Sequence, residues 1–199
     1  MGVLRVLDNE AGFESVAVGT SDDALEAATD KHFDIAIVSY ELADGEDGLT
    51  LTRDLRCLPQ PPRVLMDSAY TDTPLTALAM VAGAAGILNM ALLGVELGQA
   101  VREIVSGRAS SPALPTPIIA SLSLRLPMEQ RQLFRMWASG ADDADVANAS
   151  GLPAIDLERR RQRILRTLGG SPGRPRLGWD DGAWPLSYAR ARRLRGSRA

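Results

Sequence analysis

Ser39 closes the apolar run Ile35–Val38, and an acidic loop carrying Asp44, Glu46 and Asp47 follows it. A buried strand opening into such a loop is how α/β proteins place chemistry at the carboxyl ends of parallel strands. The residue types limit what that chemistry is. Ser39 offers a neutral hydroxyl, and the chain's one histidine, His32, is not beside it in sequence. A serine without a base is a poor nucleophile. The loop carboxylates are hard oxygen donors of the kind divalent cations take, but an acidic loop is more often solvated, and no metal site is assigned. A second set is basic: Arg159, Arg160, Arg161, Arg163 and Arg166 share one periodic stretch. Guanidinium groups in that density suit phosphates and guanine edges. No Ser-His-Asp set, phosphate-cradling glycine loop or paired-carboxylate site stands out. The single cysteine, Cys57, excludes an internal disulfide and a cysteine-cluster metal site. The chain is not read as an enzyme, and no cofactor is expected.

The charge is divided along the chain. Residues 1–111 carry 7 basic and 17 acidic side chains, and residues 112–199 carry 15 basic and 8 acidic, within a net charge of −3. An acidic half followed by a basic half predicts two modules, the second facing a polyanion. Residues 73–95 are uncharged. Pro74, Asn89, the glycines and the alanines in that stretch argue for helix ends around a buried strand rather than a membrane span. Met1–Asp8 has no signal-peptide pattern, so a cytoplasmic location is expected.

Several elements are needed to position these residues. Val3, Leu4 and Leu7 lie at helical spacing. Phe13–Val18 reads as a strand, and Ser21 is placed as the cap of a helix running to Lys31. Asp34–Val38 is the next strand, Asp47–Leu58 a helix, Arg63–Met66 a strand, Pro74–Ala82 a helix, Gly86–Leu88 a short strand and Gly94–Val105 a helix. This alternation predicts a parallel sheet with helices on both faces. Gly107–Pro117 is linker-like in composition. Helices follow at Met128–Ser139, Asp143–Ala149 and Pro153–Leu168. If Leu157, Ile164, Leu165 and Leu168 face a core, Arg159, Arg160, Arg163 and Arg166 point outward, and Arg161 snorkels from the core edge. The stretch from Gly169 is turn-rich, with Ser187–Arg195 as a short basic helix.

Two segments then carry a resemblance. LPMEQRQLFRMWASG (Leu126–Gly140) and ADVANASGLPAIDLERRRQRILRTLG (Ala144–Gly169) resemble the helix-turn-helix of bacterial response regulators of the LuxR/NarL/FixJ type. Sigma-factor DNA-binding segments share much of that pattern. LRVLDNEAGFESVAV, FDIAIVSYELADGEDGL, RVLMDSA and AGAAGILNM resemble the receiver domain of the same family. The resemblance implies a flavodoxin-like receiver followed by an all-α DNA-binding domain. It also places Ser39 where the family phosphorylates an aspartate, Ser68 at the family's switch serine or threonine, and Met90 at its lysine. The first strand, with the acidic pair that helps hold Mg²⁺, is not found. Either the sheet has a gap, or Val3–Leu7 is drawn in as a strand; the spacing favours the helix.

The expected domains are a degenerate receiver-like domain at residues 1–107, a linker at 108–123, a helix-turn-helix at 124–169 and a basic, poorly ordered tail at 170–199. The expected function is DNA-binding transcription regulation within two-component signalling, independent of aspartyl phosphorylation. Ser39, Ser68 and Met90 mark the degenerate pocket, and Arg159, Arg160, Arg163 and Arg166 the DNA contacts. DNA is the expected partner, with a homodimer or another regulatory protein as further ones, and no membrane. The alternative is a protein-interaction adaptor, because Asp142, Asp143, Asp145, Asp156 and Glu158 would oppose phosphates.

Overall fold

The structure is a computed structural model that describes residues 3–8, 12–42, 45–69, 73–89, 91, 93–108, 114–169 and 190–191. The chain opens with α1 (Val3–Asp8), the helix that the spacing favours, and continues to α2 (Ser21–Asp30). Thr20, not Ser21, is the cap: its side chain accepts from the Asp23 amide at 3.1 Å. A β-hydroxyl one residue earlier satisfies the same orphan amides. Strand β1 (Ile35–Ser39), helix α3 (Gly48–Arg56), strand β2 (Arg63–Ser68), helix α4 (Thr73–Ala82), strand β3 (Gly86–Asn89) and helix α5 (Leu93–Val105) follow. β2 lies between β1 and β3, and both pairings are parallel, with Ser39 opposite Asp67 and Ser68 opposite Asn89.

Phe13–Val18 differs from expectation: it forms no strand. Val16 and Val18 instead help line an apolar cavity of about 40 Å³ with Phe33, Ile35 and Ile37. The edge of β1 is taken by β4 (Arg190–Ala191), which pairs antiparallel with Ala36 and Ile35. Those two residues lie inside the segment expected to be a basic helix.

Period-two strands bury both faces. Ile35, Ile37 and Leu65 pack with α1 and α5 through Leu7, Leu97, Val101 and Ile104. Val38 and Val64 pack with Leu51 and Leu55 of α3 on the other face. Residues 73–95 resolve into α4, β3 and the start of α5. Among the described residues, no helix is long and apolar enough to cross a membrane.

The second half is helical: α6 (Thr116–Ser123), α7 (Met128–Ala138), α8 (Asp143–Ser150) and α9 (Ala154–Gly169). α6 occupies sequence expected to be linker. Pro117 opens it, where a proline's missing amide is harmless, and Ile119 is buried. Ser123 accepts from Arg135 Nε at 3.0 Å, tying α6 to α7. Leu133, Phe134, Trp137, Val146, Leu157 and Ile164 form the core of this half. Ala77 and Val81 of α4 belong to the same cluster, so the helical half rests directly on the α/β half.

Candidate functional site

The carboxyl end of β1 is built around a close approach. A Cβ at Gly48, the first residue of α3, would lie 2.2 Å from the Ser39 carbonyl oxygen, so only glycine fits there. The loop is closed by backbone bonds: Gly48 N–H donates to the Tyr40 carbonyl at 2.8 Å, and Tyr40 N–H to the Asp67 carbonyl at 2.9 Å. Asp47 caps α3, accepting from the Thr50 amide at 2.7 Å and its hydroxyl at 3.1 Å. That carboxylate is occupied as a helix cap. Asp44 lies outside the described residues.

Ser39 meets a residue the sequence reading missed. Its hydroxyl donates to the Asp67 carboxylate, with contacts of 3.0 and 3.1 Å to the two oxygens. Asp67 is only 1% exposed. Burial pushes its pKa up to about 6, although the Ser39 hydroxyl and its own backbone pull the other way. Side chains alternate along β2, so Ser68, also buried, points to the opposite face of the sheet from Asp67. The structure therefore pairs Ser39 with Asp67 across the β1–β2 register. Met90 lies outside the described residues. The available signal was the position of Asp67 itself, an aspartate directly after three apolar strand residues in RVLMDS.

The second site is the α8–turn–α9 unit. Gly151, at φ +67°, ends α8 and donates to the Ala147 carbonyl at 2.8 Å. Leu157 and Ile164 of α9 face inward, and Leu165 and Leu168 are half-buried beside them. Arg159, Arg163 and Arg166 are exposed, and Arg160 is half-buried. Arg159 pairs loosely with Asp156 at 3.5 Å. Three of the four expected DNA-contacting arginines therefore share an open side of one helix.

Arg161 departs from expectation. It is 1% exposed rather than snorkelling. Its guanidinium lies 4.1 Å from the Trp137 ring centroid, donates to the Val81 carbonyl of α4 and pairs with Asp143. Trp137 Nε1 donates to the same carboxylate at 3.0 Å. Arg56 of α3 pairs with Asp143 and, at 2.8 Å, with Glu158. Burial would raise the Asp143 pKa, but Arg161 and Arg56 outweigh it and hold the group below the usual carboxylate range. Burial and then the like charge of Arg56 lower Arg161 to about 10, so it stays cationic at neutral pH. Two of the carboxylates expected to oppose phosphates are thus engaged within the chain. Asp142 caps α8 through the Asp145 amide at 2.8 Å. Sequence spacing gave no sign that Arg56 and Asp143 would meet.

No protein-family profile matches the chain. It is similar to the DNA-binding transcriptional activator DevR/DosR of Mycobacterium tuberculosis, with 26% identity over 146 residues, 68% of this chain and 67% of that protein. The probable transcriptional regulatory protein NarL of the same species is 26% identical over 181 residues, 85% of this chain and 82% of that protein. The response regulator UvrY of Escherichia coli is 28% identical over 108 residues, and this chain spans about half of its length. Among solved structures, a response regulator from Burkholderia pseudomallei aligns over 81% of this chain and 88% of its own, with 20% identity and a TM-score of 0.46. The chain's sequence relatives are therefore bacterial response regulators and transcription regulators.

Proposed function

We propose that this chain is a DNA-binding transcription regulator of response-regulator type that acts without aspartyl phosphorylation. The observation that carries the reading is the open row Arg159, Arg163 and Arg166 on the second helix of a helix-turn-helix. Such a helix enters the major groove, where guanidinium groups reach phosphates and guanine edges. DevR/DosR, a DNA-binding transcriptional activator, matches over most of this chain, which supports the assignment. The working division is a receiver-like module at residues 1–107 and a helix-turn-helix at 124–169.

Independence from phosphate rests on Ser39. Acyl phosphate formation needs a carboxylate nucleophile and a divalent cation held by oxygen ligands. At the position where the resembled receivers carry that carboxylate, this chain has a hydroxyl already donating to Asp67. Asp67, 1% exposed, is itself too buried to attack a phosphodonor. Incubation with a radiolabelled small phosphodonor and Mg²⁺ is expected to leave no stable label. Label at an aspartate would overturn this half of the reading. A gel shift on genomic fragments at two salt concentrations tests the other half.

One observation favours the adaptor alternative. Glu158 of α9 is tied to Arg53 and Arg56 of α3, so one flank of the helix is covered by the α/β half. Absence of any salt-sensitive shift, together with retained folding, would support an adaptor over a DNA-binding regulator.

A further inference from the structure

The face of α9 turned away from the core carries more than arginines. At 3.6 residues per turn, Ile155, Arg159, Gln162 and Arg166 fall within about 60° of one another around the helix. The buried Leu157 and Ile164 lie on the opposite side. Ile155 is the second residue of the helix and is 60% exposed. Single exposed apolar side chains are common on protein surfaces. This one differs in its place. It stands in line with Arg159, one turn further on, whose exposed guanidinium makes a long contact of 3.5 Å to Asp156. The ties of Glu158 to Arg53 and Arg56 cover a flank of α9 about 60° round from Ile155.

A recognition helix meets base edges through its N-terminal residues. Phosphates offer nothing to an isoleucine. In a major groove, an apolar side chain finds its partner in the thymine C5-methyl group. We propose that Ile155 is a specificity-determining residue that reads a thymine methyl, with Arg159 reading a guanine edge beside it. The inference rests on the DNA-binding reading above and adds the bases that the site selects. Four residues of helix advance about 6 Å, and stacked bases lie about 3.4 Å apart. The thymine and the guanine are therefore about two base steps apart when α9 follows the groove. Arg163 and Arg166, further along the helix, are left for phosphates, which position the protein without reading sequence.

The proposal is tested on the full-length chain with duplexes selected from a randomised pool. In a selected duplex, each thymine is replaced singly by deoxyuridine, which removes the C5-methyl group and nothing else. Affinity is read by fluorescence anisotropy across a salt series. One thymine in the contacted site is expected to show a loss of about fourfold, the scale of one methyl group taken out of water. Ile155→Ala should bind the thymine and uracil duplexes alike, with the salt slope unchanged because no phosphate contact is lost. Arg159→Ala should keep the uracil penalty and relax the choice of guanine about two base steps away. Salt-sensitive binding with no thymine that responds to methyl loss overturns the proposal. So does a uracil penalty that persists in Ile155→Ala, since DNA shape rather than this side chain would then be its source. A guanine preference intact in Arg159→Ala overturns the assignment of that base. Failure to bind any duplex is a different result: it overturns the DNA-binding reading itself, and this inference with it.

Discussion

Arg161 and Trp137 stack in the core of the helical half, with the guanidinium 4.1 Å from the ring centroid and 1% of the arginine exposed. A buried cation needs more than a ring, and Asp143, Glu158 and the Val81 carbonyl complete its surroundings. Replacing Arg161 by alanine leaves Asp143 and Glu158 without their buried partner. The expected loss is about 3 kcal/mol of stability, read as a lower urea midpoint. Arg161→Met keeps most of the volume and should lose less, since an apolar replacement fills the space without a charge to solvate.

Arg56 makes the link between the halves. Its partners are moderately exposed, Asp143 more than Glu158, so solvent screens the pairs. Arg56→Glu places a third carboxylate beside two others, and the expected cost is about 1–2 kcal/mol after allowing for that screening. The double variant Arg56→Glu/Glu158→Arg restores one pair and should recover part of the loss. A double-mutant cycle that shows no coupling between positions 56 and 158 would mean the contact contributes nothing to docking.

Much of this architecture was legible in the chain's pattern, and the exceptions have physical causes. The β–α alternation from Ile35 to Val105 follows from period-two apolar runs bounded by Gly and Pro, and it appears as read. Phe13–Val18 has strand-like composition but no ladder, because the edge it would join pairs with β4, more than 150 residues away in sequence. Arg161 shows a second limit. Its spacing from Leu157 and Leu165 marks a core-edge position, but whether an arginine there turns outward or inward depends on Asp143, Trp137 and Val81. Asp67 shows a third: a single aspartate in an apolar strand is visible, while its pairing with Ser39 depends on register.

Asp67 makes stability depend on pH in an unusual direction for a carboxylate. Its pKa is raised from 3.8 to about 6 in the folded protein. Between those values the folded state holds the proton more tightly than the unfolded state. Stability from this group is therefore complete below about pH 4, falls as pH rises toward 6 and is flat above. The size is about 2–3 kcal/mol at one pKa unit per 1.36 kcal/mol. Asp67→Asn keeps an acceptor for Ser39 without the charge. It should be more stable than the parent at pH 7, with the gap closing at pH 4.5 in urea titrations. An equal gap at both pH values would show that Asp67 does not titrate in this range.

Gly48 sits where a side chain has nowhere to go. A Cβ there would lie 2.2 Å from the Ser39 carbonyl oxygen and 3.0 Å from the Tyr40 Cα, all of it backbone. Backbone yields less easily than a side-chain end, so Gly48→Ala should cost about 2 kcal/mol, in the range of core overpacking. Gly45, whose Cβ direction is empty but whose φ is +87°, provides the contrast. Gly45→Asn should be tolerated with a loss below about 1 kcal/mol, because asparagine accepts left-handed backbone better than other side chains. Thermal melting of the two variants separates crowding from backbone strain.

The arginine row on α9 leads to the prediction closest to function. Each arginine–phosphate contact on duplex DNA releases about 0.9 of a counterion, which sets the slope of log affinity against log salt. Arg163 and Arg166 are exposed, and neither has an acidic partner in an ion pair among the described residues. Replacing both by alanine should weaken binding to any duplex fragment and flatten the salt slope by about 1.8. Arg161→Met should instead act through folding, lowering the urea midpoint while leaving the slope of the remaining folded protein intact. Fluorescence anisotropy across a salt series reads the two effects separately. A double variant with unchanged affinity and slope would remove α9 as the DNA-facing helix and favour the adaptor.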